Sequence, residues 1–194
     1  MIIKKKEKEC IAIASRFLLE ERIIIIPTDT VYGFSGIVGS KTEQELYKIK
    51  KRSTDKKLIY LVANPHDILK YIDVTFYENE EVEHLTSFWP APLTVIFKAR
   101  STDKNQYATI AFRCPDDVWL RSLISTVGHP IFSTSANISG NDTITNSHEL
   151  NAIFGNEVSL IVDGGKLEGI SSTILDASKR PFTVVRSGSF QLDM

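Results

Sequence analysis

The groups in this chain that can do chemistry fall in six short polar clusters. They are Pro27-Thr28-Asp29-Thr30-Val31-Tyr32-Gly33, Lys50-Lys51-Arg52, Phe112-Arg113, Ser133-Thr134-Ser135-Ala136-Asn137, Ser172-Thr173 and Arg186-Ser187-Gly188. Together they supply guanidinium and ammonium groups for phosphates or a carboxylate, with hydroxyls and an amide for finer positioning. They hold no obvious nucleophile and no triad. That composition suits an enzyme that works by binding, orientation and charge stabilisation. Several familiar chemistries are excluded. No GxxxxGK[ST] stretch exists, Gly33-Phe34-Ser35-Gly36 is too compressed for a GxSxG elbow, and no SxxK motif stands at Ser133 or Ser135. His66, His84, His129 and His148 are scattered, and Cys10 and Cys114 lack metal-ligand spacing, so no zinc site is visible. The two cysteines read as free thiols of a reducing compartment.

Each cluster also has a plainer reading. Pro27-Thr28-Asp29-Thr30 reads equally as a turn whose side chains bond their own backbone. Lys50 and Arg52 read as a solvated helix end, and they aim the same way only if the chain is extended there. Arg113 ends an apolar strand, where a lone arginine needs a partner, and Asp116 or Asp117 stands close enough in sequence to be it. Ser135 and Asn137 read as loop-shaping residues, and Arg186 as a surface residue at a strand end. Asn137-Ile138-Ser139 fits a glycosylation acceptor that a cytoplasmic chain never uses. Residue chemistry alone reaches an anionic-ligand site on an α/β domain, and no further.

The elements that must position these groups follow from periodicity and punctuation. With 194 residues, 42% of them hydrophobic, the chain can bury one substantial core, and a single domain over 1–194 is expected. Its 23 basic and 24 acidic residues nearly cancel, so the global field points to no nucleic-acid or membrane partner, although local clusters still can. The basic start Lys4-Lys5-Lys6 precedes no apolar stretch, which excludes a signal peptide, and the longest apolar run, Ile23 to Ile26, cannot cross a bilayer. A cytoplasmic protein is the expectation. Ile11, Ala14, Phe17 and Leu18 predict a helix over 6–21, and the isoleucine run a strand buried on both faces that Pro27 ends. Ser40 and Glu43 suggest a capping box on the next helix, whose last turn carries Lys48, Lys50 and Lys51. Strands are expected at 58–63, 93–97, 109–113, 131–134, 160–163, 172–176 and 182–186. Helices are expected at 65–72, after Asp116 or Asp117 until Gly128, and at 147–154. Interleaved helices and strands, with strands crowding near the end, predict an α/β domain on a mixed sheet.

In series, the motifs resemble one family. Pro27-Thr28-Asp29-Thr30-Val31-Tyr32-Gly33, Lys50-x-Arg52, Trp89-Pro90-x-Pro92-Leu93-Thr94, Ser135-Ala136-Asn137-x-Ser139-Gly140, Ser172-Thr173-x-x-Asp176 and Arg186-x-Gly188 are similar, in order and approximate spacing, to the YrdC/TsaC family of threonylcarbamoyl-AMP synthases. The resemblance implies a YrdC-like twisted open mixed sheet with flanking helices around a positive cavity. It implies the reaction of L-threonine, bicarbonate and ATP to threonylcarbamoyl-AMP and pyrophosphate, with a separate transferase complex moving the group onto tRNA. Carried over by motif, Thr28, Arg113, Ser135 and Ser172 would hold L-threonine, Arg113 pairing its carboxylate. Lys50, Arg52, Thr109, Asn137 and Arg186 would hold ATP, and Mg²⁺ would come with the nucleotide without a protein ligand that can be named. The chain looks like the short, single-domain form. It departs from the family pattern at Ser53, where proline is usual, and at Ala91, where glycine is.

Two rival readings stand beside this one. The first is a carbamoyl-adenylate-forming relative, as in the YrdC-like domains of hydrogenase-maturation proteins, whose acylphosphatase and zinc modules are not seen here. The second is a non-catalytic RNA-binding or ribosome-assembly protein, with a weak RNA contact through Lys48, Lys50, Lys51, Arg52, Lys56 and Lys57. No aromatic residue interleaves those cations as a base-stacking platform requires. Small hydroxyl residues around one arginine further imply that the substrate's own hydroxyl is read. A site built to bond a hydroxyl rejects the analogue lacking it by up to ~10⁴-fold. Turnover is therefore expected to fall from threonine to serine to valine in a pyrophosphate-release assay. Equal turnover of threonine and valine would contradict it.

Overall fold

The run Ile23-Ile24-Ile25-Ile26 is almost wholly inaccessible and sends alternate side chains into two different cores. Ile23 and Ile25 enter one, and Ile24 and Ile26 the other. Each such burial contributes about 1.5–3 kcal/mol, which explains why a β-branched run with no polar face forms a central strand. The computed structural model describes residues 1–51, 53, 58–78, 80–101 and 108–192. Its strands are β1 (Ile2–Lys4), β2 (Ile24–Pro27), β3 (Tyr32–Ile37), β4 (Ile59–Leu61), β5 (Leu93–Lys98), β6 (Thr109–Arg113), β7 (Ile131–Ser135), β8 (Leu160–Asp163), β9 (Thr173–Asp176) and β10 (Thr183–Arg186). Its helices are α1 (Cys10–Leu19), α2 (Ser40–Lys50), α3 (Glu81–Ser87), α4 (Val118–Val127) and α5 (Ser147–Phe154).

All ten strands join one sheet in the order β1-β8-β2-β3-β7-β4-β6-β5-β9-β10. The sheet is mixed, as expected: β2 runs parallel to β8 and antiparallel to β3, and β5 parallel to β9 and antiparallel to β6. Helix α4 starts where Asp117 accepts the Leu120 N–H at 3.0 Å and ends at Gly128, whose φ of 76° a residue with a Cβ adopts only at a cost.

Several expected boundaries are corrected. Helix α1 is shorter than 6–21, and the segment after Asn64 is a 3₁₀ helix, Pro65–Lys70. Gly39, not Ser40, holds the N-cap position of α2, and the Glu43 carboxylate instead accepts the Tyr60 hydroxyl at 3.0 Å. Strands β1 and β3 and helix α3 were not expected. Three residues are too few to show alternation, glycines at 33 and 36 erase it in β3, and α3 offers only Leu85 as a buried residue.

The two faces of the sheet are covered unequally. One face carries Phe34, Tyr60, Phe97, Phe112 and Phe132, packed with residues of α2, α3 and α5 into the larger core. On the other, α1 and α4 cover Ile24, Ile26, Leu61, Ile131, Leu160 and Val162. By side-chain alternation, Thr94, Ile96, Thr109, Ala111 and Arg113 face that same side further along the sheet and line a cavity instead of a core, while Ile59 both lines the cavity and packs against the smaller core.

Cys114 lies in the larger core and Cys10 in the smaller. Burial pushes both thiols up to about 11, with Glu7 adding to the effect at Cys10. Both should therefore resist alkylation at neutral pH in the native protein and react once it is denatured. A native protein holding protons that the unfolded chain releases above about 9 also loses stability as pH rises from 9 toward 11. Thiol counting with and without denaturant, and urea melts across that range, check both. Rapid native labelling of either cysteine would contradict the assignment.

Candidate active site

The cavity holds about 680 Å³, within the range of small-molecule sites. Its floor is a register row across four strands: Ile96 faces Ala111, Ala111 faces Ile59, and Ile59 faces Ser133. At ~4.8 Å per strand the apolar part of this row is about 10 Å wide. A Cβ at Gly33 would stand 2.4 Å from the Ser133 hydroxyl, so glycine there makes room for that hydroxyl at the cavity wall.

Of the residues expected to hold ligands, Thr28, Thr109, Arg113, Ser135, Ser172 and Arg186 all line this one cavity. They come from five separate stretches of sequence, and the sheet brings them together. The Thr28 hydroxyl bonds the Val31 carbonyl at 2.7 Å and accepts the Thr30 and Val31 N–H groups, so it also shapes its own turn. The plainer reading of that cluster, a turn that bonds its own backbone, is realised in a side chain that also lines the cavity. Ser172 shares a 2.8 Å hydrogen bond with Thr94, and its carbonyl accepts the Arg186 guanidinium from Nε at 3.0 Å and Nη2 at 2.8 Å.

Arg113 is buried in the cavity wall. Its partner is not Asp116 or Asp117, as proximity in sequence suggested. Asp117 caps α4 and pairs with Lys5, while the Asp116 carboxylate stands 3.9 Å from Arg121. The partner is Asp29, whose Oδ1 lies 3.3 Å from Arg113 Nη2, and Arg113 Nη1 donates to the Thr30 hydroxyl at 3.3 Å. Burial lowers the pKa of Arg113, against the pull of Asp29. Arg186 is exposed at the end of β10, as its reading as a surface residue had it; the burial it does have lowers its pKa, and the Arg113 charge lowers it further. Both guanidinium groups line one cavity, and the Arg113 charge reaches Arg186.

Lys50 and Asn137 are placed differently. Lys50 is 1% exposed, so it is not a solvated helix end. Its ammonium donates to the Asn137 backbone carbonyl at 2.9 Å, to the Asn137 side-chain oxygen at 3.0 Å, and to the Ser135 carbonyl. Ser135 in turn donates its hydroxyl to Asn137 Oδ1 at 2.7 Å. Lys50 and Asn137 form the buried support of the loop after β7, and neither is among the lining residues of the cavity. Arg52 lies outside the described residues. Asp29, Thr30, Thr94 and Ser133 belong to the site without having been assigned a role from sequence. The available signal was strand parity, since Thr94 and Ile96 alternate with the core residues Val95 and Phe97.

With this geometry in place, comparison with known proteins decides the family. The model of the Sua5/YciO/YrdC family, described as telomere recombination, matches residues 16–188. The chain belongs to the Sua5/YciO/YrdC family. It is 34% identical over 176 residues to a threonylcarbamoyl-AMP synthase of Shigella boydii, covering 87% of this chain and 92% of that one. It is equally 34% identical over 154 residues to the threonylcarbamoyl-AMP synthase of Escherichia coli K12, covering 77% and 81%. P. abyssi Sua5, solved as a complex with L-threonine, superposes with a TM-score of 0.85 at 28% identity, over 97% of this chain. The chain spans 57% of that longer protein.

In this family member, Lys50→Ala removes a buried charge from three oxygen acceptors; Asn137 Oδ1 keeps the Ser135 hydroxyl and the Ser135 carbonyl keeps the Asn137 N–H, while the Asn137 carbonyl loses its donor. Hydrogen bonds to charged groups contribute about 1.5–3 kcal/mol each before compensation. The ligand-free variant is expected to lose about 2–4 kcal/mol, a drop in Tm of roughly 5–15 °C for a chain of this size. Thermal melting checks it. A melting point equal to wild type would return Lys50 to the solvated helix end.

Proposed function

We propose that this chain is a threonylcarbamoyl-AMP synthase that joins L-threonine, bicarbonate and ATP, releasing pyrophosphate. One observation carries the reading: Arg113 and Arg186 face a single hydroxyl-lined cavity that, among the described residues, no carboxylate lines. Such a cavity has room and charge for a ligand with several anionic groups. The named activity of the 34%-identical relatives supports the same chemistry.

Threonine's amine adds to bicarbonate with loss of water, giving a carbamate. A carbamate oxygen attacks the α-phosphorus of ATP, and the bond to the β-phosphate oxygen breaks to release pyrophosphate. This makes the chain a nucleotidyltransferase. In this scheme Arg113 pairs the threonine carboxylate, with Thr28, Ser135 and Ser172 forming the surrounding hydroxyl wall. Arg186 and Thr109 hold the nucleotide within the cavity, and Arg186 offsets charge on the departing pyrophosphate. Lys50 and Asn137 act on ATP through the loop they hold, and Arg52 completes the set. The lining residues offer hydroxyls and guanidinium groups, and the described residues contain no cluster of three His, Cys, Asp or Glu side chains for a metal. They do not fit a resident metal, and Mg²⁺ accompanies the triphosphate as part of the substrate. The mixed anhydride produced is consumed by a tRNA threonylcarbamoyl transferase complex in the cytoplasm, with at most a weak RNA contact by this chain. No helix among the described residues is long and apolar enough to cross a membrane.

Incubation with ATP, bicarbonate and one amino acid at a time tests the reading. Pyrophosphate should appear with threonine and depend on bicarbonate. Release driven instead by carbamoyl phosphate would favour carbamoyl-adenylate chemistry, and none under any condition would leave a binding protein.

A further inference from the structure

We propose that Asp29 is a positioning residue: its carboxylate fixes the Arg113 guanidinium in the cavity wall, where that guanidinium receives the carboxylate of the amino-acid substrate. The inference rests on the function proposed above, and it assigns a role to a residue that touches no ligand itself. The two side chains are 4% and 6% exposed, so the pair is withdrawn from water on both sides. A buried ion pair is a weak source of stability, because desolvation offsets most of the attraction, and apolar replacements are often as stable. Stability is therefore a poor reason for the pair to be here.

The contact pattern points to a guanidinium held for a ligand. A purely structural buried arginine has its donors filled. Arg113 instead forms an ion pair with Asp29 Oδ1 at 3.3 Å and a hydrogen bond to Thr30 at 3.3 Å, and among the described residues neither its Nε nor that Asp29 oxygen has a hydrogen-bond partner. Both contacts come from neighbouring residues of one turn, and the Thr28 hydroxyl locks that turn onto Val31. Asp29 is itself anchored from the far side, since its Oδ2 accepts the Asp116 N–H at 3.1 Å. Asp29 thus stands as a fixed stop between the β2–β3 turn and the chain leaving β6.

Electrostatics supplies the need for such a stop. Arg186 is tethered to the Ser172 carbonyl by two hydrogen bonds, so it cannot easily retreat from a second guanidinium. Without Asp29, Arg113 is the group free to swing away from Arg186. With it, Arg113 stays at the cavity wall for the substrate carboxylate while Arg186 is left to the nucleotide.

Asp29→Asn keeps the shape and removes the charge. Steady-state pyrophosphate release at saturating bicarbonate, below the variant's measured melting point, should show KM for threonine raised at least ~10-fold. KM for ATP should stay within about two-fold of wild type. Arg113→Ala serves as the reference and should show the same threonine-selective rise, larger. Should Asp29→Asn not fold, Thr30→Val removes the other contact to Arg113 without altering charge and should raise the threonine KM in the same selective way. Unchanged threonine KM in the folded variant overturns the proposal, as does an equal rise in both KM values, which marks a general structural loss. Absence of threonine-dependent release from the wild type would instead count against the proposed function, so the two failures are distinguishable.

Discussion

The site in this molecule depends on a sheet whose central strands are covered on one face by the larger core and only in part on the other. Strand side chains alternate, so a covered face must be apolar at every second position. Here one parity gives the aromatic core of Phe34, Tyr60, Phe97, Phe112 and Phe132. The other parity is apolar under α1 and α4 and turns polar beyond them, at Thr94, Thr109, Arg113 and Ser133. The cavity is the uncovered remainder of that second face. Its walls are strands with a packed core behind them, so groups set there are held rigidly.

On that wall the chain sets one buried charge, Arg113, and an exposed one, Arg186, at the end of β10. Arg113 and Arg186 are both depressed by burial, and Arg186 further by its neighbour. Asp29 offsets part of this and leaves the rest for a ligand. The hydroxyls around it are tied to one another and to backbone, as in Thr94 with Ser172 and Thr28 with Val31, so few rotors need ordering on binding.

Two supports outside the cavity keep its rim in place. Lys50 reaches from the end of α2 to bind the loop after β7 through the oxygens of Ser135 and Asn137. On the opposite side, the Thr173 hydroxyl accepts the N–H groups of Gly188 and Phe190, while Phe190 packs edge-on to Phe88 at 5.9 Å. The segment after β10 is thereby fastened beside Ser172 and Arg186. Residues with chemistry-like character thus serve two ends, and a buried lysine near a substrate is not by that fact in contact with it.

Much was legible before any coordinates. The isoleucine run, an aspartate cap at Asp116 or Asp117 and the Gly128 stop of α4, and strands β6 and β8 follow from local rules, because alternation, capping and punctuation act over a few residues. The series of motifs pointed to the family for a different reason: the resemblance lies in residue types kept in order. What sequence could not decide was distance across the sheet. Arg113 found its counter-charge at Asp29, in a turn far away in sequence, because the order of strands places the β2–β3 turn beside the end of β6; the nearby Asp116 and Asp117 were drawn toward Arg121, Lys5 and the start of α4. Lys50 looked solvated because its helix is mostly polar, yet tertiary packing buried it against a loop some ninety residues on. Local chemistry is written in the chain, but the pairing of charges is a property of the register and order of strands, which only the folded sheet fixes.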